Sequence, residues 1–245
     1  MSTTLTIAKR EFRSNFDSPL AYVVICLSLI ALGFTFFYIG GGFWQADRAT
    51  LSQLFAQAPR GLALLIIPVV TMRLLAEERR SGTLEMLITL PVKDHEVILG
   101  KFLGAWGLVL LLIASTLLYP LFMFLWPWHL GALDWGPVFA GYLGLFIYSG
   151  AAVAIGLLVS ALTESQVIAF FVTFVILFVL HYVGFATENV SNPTLREIVS
   201  FVSFDSRLAP FARGLVNTRD IVFFVSIAIG CLMASFRALE RRKWA

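Results

Sequence analysis

Four long stretches without Asp, Glu, Lys or Arg dominate this sequence: residues 18–46, 102–133, 135–163 and 165–187. An α-helix rises 1.5 Å per residue, so about 20 residues cross the roughly 30 Å hydrocarbon core of a bilayer. Each stretch is therefore long enough for one transmembrane helix. The chain is 59% hydrophobic and only 13% charged, whereas about a quarter of the residues of a soluble domain are charged. These features predict a membrane protein and exclude a water-soluble globular domain.

Two shorter apolar stretches, residues 61–72 and 221–236, complete the predicted set of spans. The first covers only about 18 Å at helical rise, so its helix must continue past Arg60, which then reaches the outer interface or faces protein. Pro68 is expected to kink this helix. The sequence thus predicts an all-α membrane protein with six transmembrane helices, at residues 20–42, 53–76, 96–125, 136–162, 167–186 and 219–237.

The basic residues are unevenly divided between the two sides of the predicted bundle. Six spans place both termini on one side, and the segments on that side hold twice as many Lys and Arg residues as the opposite segments. The positive-inside rule therefore predicts a multi-pass protein of the bacterial inner (cytoplasmic) membrane with both termini in the cytoplasm. These anchors explain the net charge of +3, and no nucleic-acid partner is expected.

Residues 3–16 predict an interfacial helix before the first span. Leu5, Ala8, Phe12 and Phe16 recur at helical spacing, while the basic residues lie largely elsewhere. This pattern is typical of an amphipathic helix that lies on the inner leaflet. A disordered basic tail that only sets the topology is the alternative.

The segment between the second and third spans predicts a short cytoplasmic helix over residues 81–91. Ser81 and Gly82 break the preceding helix, and Pro91 ends the new one. Thr83 is a suitable N-cap, and three apolar residues form one face: Leu84, Leu87 and Ile88. Such a helix can dock into a groove on a soluble motor. From these residues alone, a connector that rests on its own bundle explains the pattern equally well.

Residues 193–215, between the fifth and sixth spans, carry more apolar surface than a polar outer loop would. The Asn192-Pro193 pair marks a helix start with proline at the first position. Apolar residues then recur at i, i+3, i+4 and i+7. One or two outer helices are predicted here, lying at the interface or entering the membrane where protein covers them.

Three glycines follow one another on one side of the third span: Gly100, Gly104 and Gly107. Small residues at this spacing let two helix backbones approach closely. These glycines are therefore expected to serve helix packing and not ligand binding.

The sequence contains no G-x-x-x-x-G-K-[ST] phosphate-binding loop. ATP and Mg²⁺ are therefore assigned to a partner ATPase, and this chain is expected to have no catalytic site, cofactor or metal. Two ionisable residues of the predicted spans, Arg60 and His181, are candidates for a transport pathway, although a lone histidine is more often a packing or hydrogen-bonding group. Glu164, the only charge in the turn between the fourth and fifth spans, either contacts the motor or is solvated.

Three regions of the sequence resemble the type-2 ABC transporter permeases. They are PVVTMRLLAEERRSGTLEMLITLPV at 68–92 with VILGKF at 97–102, FDSRLAPFARGLVNTRDIVFF at 204–224, and LERRKW at 239–244. They occur in the family's order, and the branch is the gliding-motility type, similar to the permease of nitrous oxide reductase maturation. The resemblance implies a dimer of such subunits, homomeric or heteromeric, above two ABC ATPase subunits.

The resemblance also implies roles for three segments of this chain. Residues 3–16 correspond to the family's N-terminal interfacial helix, and residues 191–215 to its outer helices. Seven residues fall on its coupling segment between the second and third spans: Glu77, Glu78, Arg79, Gly82, Thr83, Glu85 and Leu87. This correspondence favours docking of the Leu84 helix on the ATPase. No catalytic residue is implied, because the family has none on this subunit.

The expected function is that of a permease subunit that couples ATP hydrolysis by a separate ATPase to export, or transmembrane movement, of an unidentified substrate. One alternative is a mechanotransmission complex that acts on an auxiliary envelope protein and moves no substrate. The other is a membrane channel or enzyme that works without an ATPase.

Overall fold

The computed structural model describes residues 3–17, 19–38, 51–82, 93–124, 134–184 and 192–240. Every regular element within these ranges is helical. In chain order the helices are α1 (Thr3–Asp17), α2 (Pro19–Tyr38), α3 (Ser52–Gly61), α4 (Ile67–Thr71), α5 (Ala76–Arg80), α6 (Asp94–Ser115), α7 (Leu118–Phe124), α8 (Trp135–Leu162), α9 (Gln166–Tyr182), α10 (Pro193–Val202), α11 (Phe204–Ala212) and α12 (Thr218–Glu240). A π-helical turn, Leu62–Ile66, joins α3 to α4.

Four helical runs of the described residues are long and apolar enough to cross a membrane: Ser52–Arg80, Asp94–Leu121, Trp135–Leu162 and Thr218–Glu240. A fifth candidate is the pair Thr3–Asp17 and Tyr22–Phe36, which bends by 78°. Helix α9 is apolar but has only 17 residues, about 26 Å at helical rise, less than the roughly 30 Å core. The fold is thus an all-helical membrane bundle with four or five candidate spans, where the sequence predicts six.

Helix α8 lies at the centre of the bundle, in contact with α3, α4, α6, α9, α11 and α12. It is apolar on all sides, as expected of a helix that other helices surround. Small residues let those neighbours approach. Gly156 faces Thr71 of α4 so closely that a Cβ on Gly156 would overlap the threonine side chain.

The second span, Ser52–Arg80, is not one continuous α-helix. The π-helical turn directly precedes α4, where Pro68 lacks the backbone N–H that a regular helix would use. A second break follows at residues 72–75, where Leu75 adopts φ −128° and ψ −31° before α5 begins. The sequence predicts a distortion only at Pro68. The second break contains neither glycine nor proline, so packing against the rest of the bundle sets it.

Helix α1 packs against the first half of α6. Ala8 is buried, whereas Leu5, which the sequence pattern places on the apolar face, is 52% exposed. Ile7 and Glu11 face α6 instead. Phe12 lies against Gly107 of α6, and Phe16 packs on the hydrophobic core. Three of the four predicted apolar residues therefore lie on the packed face, and Leu5 is the exception.

Helices α10 and α11, which the sequence predicts to be outer helices, differ in how they meet the bundle. Helix α10 has no buried residue, while α11 packs against α3, α8 and α9. Phe204, Leu208 and Phe211 are the large apolar side chains that α11 buries. Of the two, α11 therefore carries side chains into the interior.

Candidate functional site

Helix α5 ends the second span and carries three of the predicted coupling residues, Glu77, Glu78 and Arg79. The Ser81 hydroxyl donates a hydrogen bond to the carbonyl oxygen of Glu77 at 2.9 Å. The chain then turns at Gly82, whose φ of +70° suits a residue without a Cβ. Five further predicted coupling residues lie outside the described residues: Thr83, Leu84, Glu85, Leu87 and Ile88.

A serine of α8 bridges the break at residues 72–75. Ser160 Oγ accepts hydrogen bonds from the backbone N–H groups of Leu75 and Ala76, both at 3.1 Å, and donates one to the carbonyl oxygen of Met72 at 3.4 Å. Ser160 is fully buried. An unpaired backbone N–H in such a place costs about 1–3 kcal/mol. The serine therefore supplies the partner that the interrupted helix no longer provides.

A buried lysine joins α5 to two other helices. Lys101 Nζ of α6 lies 2.7 Å from Glu11 Oε1 of α1 and 2.7 Å from Glu78 Oε1 of α5. The lysine side chain is 2% exposed, whereas Glu11 and Glu78 are 24% and 22% exposed. A buried ammonium is tolerated when it is paired and hydrogen-bonded. Lys101, Glu11 and Glu78 are called the Lys101 junction below.

Two glycines of α6 bring α1 close enough for this junction. A Cβ on Gly100 would lie 2.6 Å from Ile7 Cγ2. One on Gly104 would lie 2.6 Å from Glu11 Cβ and 3.0 Å from the carbonyl oxygen of Ala8. Larger residues at these positions would push α1 away. The close packing expected at these glycines therefore has the N-terminal helix as its partner.

Arg60, at the end of the second span far from α5, pairs with Asp205 of α11. Arg60 Nε lies 3.1 Å from Asp205 Oδ1, and Arg60 Nη2 contacts Asp205 Oδ2. His181 Nδ1 of α9 lies 3.6 Å from Asp205 Oδ1. The structure thus places the two predicted pathway residues, Arg60 and His181, on either side of one aspartate. With Tyr148 these residues are called the Asp205 cluster.

Tyr148 of α8 contacts both His181 and the backbone of the second span. Its hydroxyl donates to the carbonyl oxygen of Pro59 at 3.1 Å and lies 2.8 Å from His181 Nε2. His181 Nδ1, buried and without a hydrogen-bond partner among the described residues, faces Asp205.

Asp205 lies in α11, which is not among the candidate spans. Burial by itself would raise the pKa of the Asp205 carboxyl, but contacts with His181 and Arg60 outweigh it and hold that pKa below its ordinary value of 3.8. The pair with Arg60 is therefore ionised at neutral pH.

A second ion pair connects α11 to α12. Arg207 Nη1 lies 2.8 Å from Asp220 Oδ1, and each side chain is 8% exposed. The Arg207 guanidinium also lies 4.3 Å from the ring centre of Phe201 and 4.8 Å from that of Phe223. Cation–π contacts of this kind stabilise a desolvated guanidinium. This pair fixes α11 to the start of the last span.

Sequence reasoning missed most of the residues that hold these contacts together. Lys101 borders the charge-free stretch 102–133, so it looks like an ordinary interfacial anchor. The available signal for Asp205 was that it is the only carboxylate between Glu197 and Asp220. Ser160 and Tyr148 carry no signal in the sequence. Glu164, the remaining predicted residue, is exposed in the turn between α8 and α9.

These features define a helical membrane bundle in which polar side chains hold interrupted helices in place. Among the described residues, no group of three or more His, Cys, Asp or Glu side chains could hold a metal ion. The family model described as ABC-2 family transporter protein matches residues 61–236, more than half of the chain. The chain therefore belongs to the ABC-2 transporter family. No curated protein matches it at a significant level.

Membership of this family identifies the chain as a multi-pass membrane component, or permease, of an ABC transporter. Members of the family are transport components that work in a bilayer with an ABC ATPase and are not themselves catalytic. The matched residues include α4 and α5, the break between them, and Lys101 and Ser160. Helices α1 and α2 precede the match.

Proposed function

We propose that this chain is the membrane-spanning subunit of an ABC exporter whose separate ATPase subunits bind and hydrolyse MgATP. The family match supports the class of protein. The observation that carries the coupling route is α5, a helical turn in which Glu77 and Arg80 are exposed while Ser160 and Lys101 hold its other side. From α5 the chain leads directly into residues 83–91, the proposed docking helix for the ATPase.

The proposal includes six spans with both termini in the cytoplasm of a bacterial inner membrane. Helix α2 has 20 residues, about 30 Å at helical rise, enough for one span. Helix α9 continues into a further helical turn at residues 183–184, which lengthens the fifth span. In this arrangement α5, the N-terminal helix and the turn at Glu164 face the ATPase.

A second permease subunit, identical or related, completes the proposed complex. Helix α2 buries Leu32 and Phe36 and leaves Val23, Leu27 and Ile30 exposed. Lipid covers such an apolar face, and so would a second copy of the bundle. The proposed branch is the gliding-motility type, as the resemblance of the α5 region and residues 204–224 suggests.

The test is reconstitution of the chain with its copurifying ATPase in lipid nanodiscs, with Leu84 and Leu87 both changed to Asp. Loss of apolar anchors from the centre of an interface costs about 2 kcal/mol or more, so ATPase affinity should fall at least about tenfold. Leu195→Asp is the matched control, because Leu195 is an exposed leucine of α10, 52% exposed, remote in sequence from the coupling segment.

Two results would refute parts of this proposal. If the double Asp variant assembles and hydrolyses ATP like the unmodified complex, residues 83–91 are not the docking helix. If no ATP-hydrolysing subunit copurifies with the chain under any condition that keeps it folded, the exporter assignment itself is wrong.

A further inference from the structure

We propose that residues 72–75 are a hinge between the second span and α5, and that Ser160 and Lys101 are the residues that position α5 on the bundle. This proposal rests on the proposed function, because it identifies the mechanical link between the span and the ATPase-coupling segment. Ser160 holds the hinge from α8. Lys101 holds α5 from α6.

The backbone at residues 72–75 has the features of a hinge. Leu74 N–H bonds to Thr71 three residues earlier at 3.2 Å, and Leu75 leaves the helical conformation. The N–H groups of Leu75 and Ala76 bond to a side chain in place of helix carbonyls. Hinges are a few residues at the ends of elements that absorb a change in φ and ψ. In the proposed movement, the N–H groups of Leu75 and Ala76 exchange their hydrogen bonds to Ser160 for hydrogen bonds within a continuous helix.

Ser160 reaches the hinge because of a glycine one turn earlier on α8. Gly156 lets α4 approach until a Cβ would overlap Thr71, and Ser160 is on the same side of the helix four residues later. The serine hydroxyl uses its one proton and both acceptor positions there, on Met72, Leu75 and Ala76. No part of this hydrogen-bonding capacity is spare, so Ser160 holds the hinge in the position that the structure shows.

The Lys101 junction lets α5 move without stranding a buried charge. Its two carboxylates belong to different helices: Glu11 to α1 and Glu78 to α5. If α5 swings away, Lys101 loses Glu78 but keeps Glu11, and the released carboxylate is already 22% exposed. An unpaired buried ammonium would be strongly unfavourable. Glu11 is thus the permanent partner, and Glu78 is the partner that α5 movement can release.

The experiment measures the position of α5 in the complex with its ATPase. Spin labels are attached at Arg80→Cys, the last residue of α5, and at Leu162→Cys, the last residue of α8, which is 62% exposed. The native cysteines Cys26 and Cys231 are replaced by Ala. We expect the label distance to differ between the nucleotide-free and ATP-trapped complexes.

Ser160→Ala and its matched control, Ser149→Ala, separate positioning from general stability. Ser149 is a fully buried serine of the same helix that pairs with Trp106 Nε1 at 3.0 Å, away from the hinge. We expect Ser160→Ala to broaden the distribution of label distances. It should also lower the kcat of coupled ATP hydrolysis at least about fivefold, the lower end of the coupling usually found between two sites. The KM for ATP should stay unchanged. Ser149→Ala should alter neither readout.

Glu78→Gln provides a second variant that retains the Lys101–Glu11 pair and should fold normally. It should populate the moved position of α5 without ATP, whereas Glu11→Gln should hold α5 in place, because Glu78 is then the carboxylate that pairs with the buried Lys101. Equal label distances in both nucleotide states, or equal behaviour of Ser160→Ala and Ser149→Ala, would overturn the hinge. The Leu84 and Leu87 variant separates the two proposals. If it uncouples the ATPase, but the label distance of the unmodified complex is the same in both nucleotide states, the hinge proposal is wrong and the docking proposal stands. If that variant is harmless, the docking proposal fails.

Discussion

The Lys101 junction and the Asp205 cluster hold charges in the same bundle in different ways. In the junction one cation that is 2% exposed meets two carboxylates, each about a quarter exposed. In the cluster Arg60 pairs with Asp205, at 24% and 27% exposure, beside His181 and Tyr148. The junction also lines a 470 Å³ cavity between α1 and the second span. The cluster instead packs against the buried aromatic ring of Phe204.

The difference bears on how easily each contact can open. The junction can lose one carboxylate and remain electrically paired, because the other carboxylate stays. In the cluster, loss of either Arg60 or Asp205 breaks the ion pair that joins the second span to α11. The junction is therefore suited to a moving helix, and the cluster to holding the outer helix α11 against the second span.

The largest expected effect is on the junction when both of its carboxylates are removed. Glu11→Gln combined with Glu78→Gln strands the buried Lys101, which should destabilise the fold by about 3–5 kcal/mol. Either single change should cost far less, because the second carboxylate remains. Unfolding of the three variants in the same lipid measures this, and additive effects of the two single changes would contradict the shared-lysine account.

The next largest effect is expected from Gly104→Ala, which pushes α1 off α6. The added Cβ would lie 2.6 Å from Glu11 Cβ, and overpacking of this kind costs about 1–3 kcal/mol. Gly230→Ala is the matched control, since nothing lies within 4 Å of a Cβ there. Crosslinking between α1 and α6 should weaken in the first variant only. A neutral Gly104→Ala would show that α1 is not seated on α6.

A smaller loss is expected from a single change in the Asp205 cluster. Asp205→Asn removes the counter-charge of Arg60, and because the pair is about a quarter exposed we expect about 1–2 kcal/mol of destabilisation. Glu240→Gln is the control, because its partner Arg237 is 76% exposed and such pairs contribute little. If Asp205→Asn lowers the unfolding free energy no more than Glu78→Gln does, the junction does not tolerate loss of a carboxylate better than the cluster, and the contrast between them is wrong.

The smallest effect is the pH dependence of the Asp205 contribution. The pKa of this carboxyl is lowered by folding, so its stabilising effect is fully present above the ordinary value of 3.8 and is lost as pH falls through the lower folded value. The difference in unfolding free energy between the unmodified chain and Asp205→Asn should therefore stay constant down to about pH 3.8 and shrink at lower pH. An increase in this difference as pH falls toward 3.8 would instead mean that folding raises this pKa.

The bundle shows where prediction from local pattern succeeds and where it stops. Charge-free length correctly predicted an all-helical membrane protein, because hydropathy depends on neighbouring residues alone. The count of six exceeds the four or five candidates because α9 is three residues short of 20 and because the first span is a candidate only together with α1. Residues 83–91 are not among the described residues, so the docking helix stays a prediction.

The sequence by itself determined that this protein lies in a lipid bilayer, that it is helical and which family it belongs to, because these properties follow from the length of the apolar stretches and from short motifs. Only the tertiary structure decided which polar groups meet: Lys101 and Glu11 are 90 residues apart, Leu75 and Ser160 are 85, and Arg60 and Asp205 are 145. The physical reason is that a buried charge or freed N–H pairs with whatever packing brings within about 3 Å, and that packing depends on the whole bundle at once.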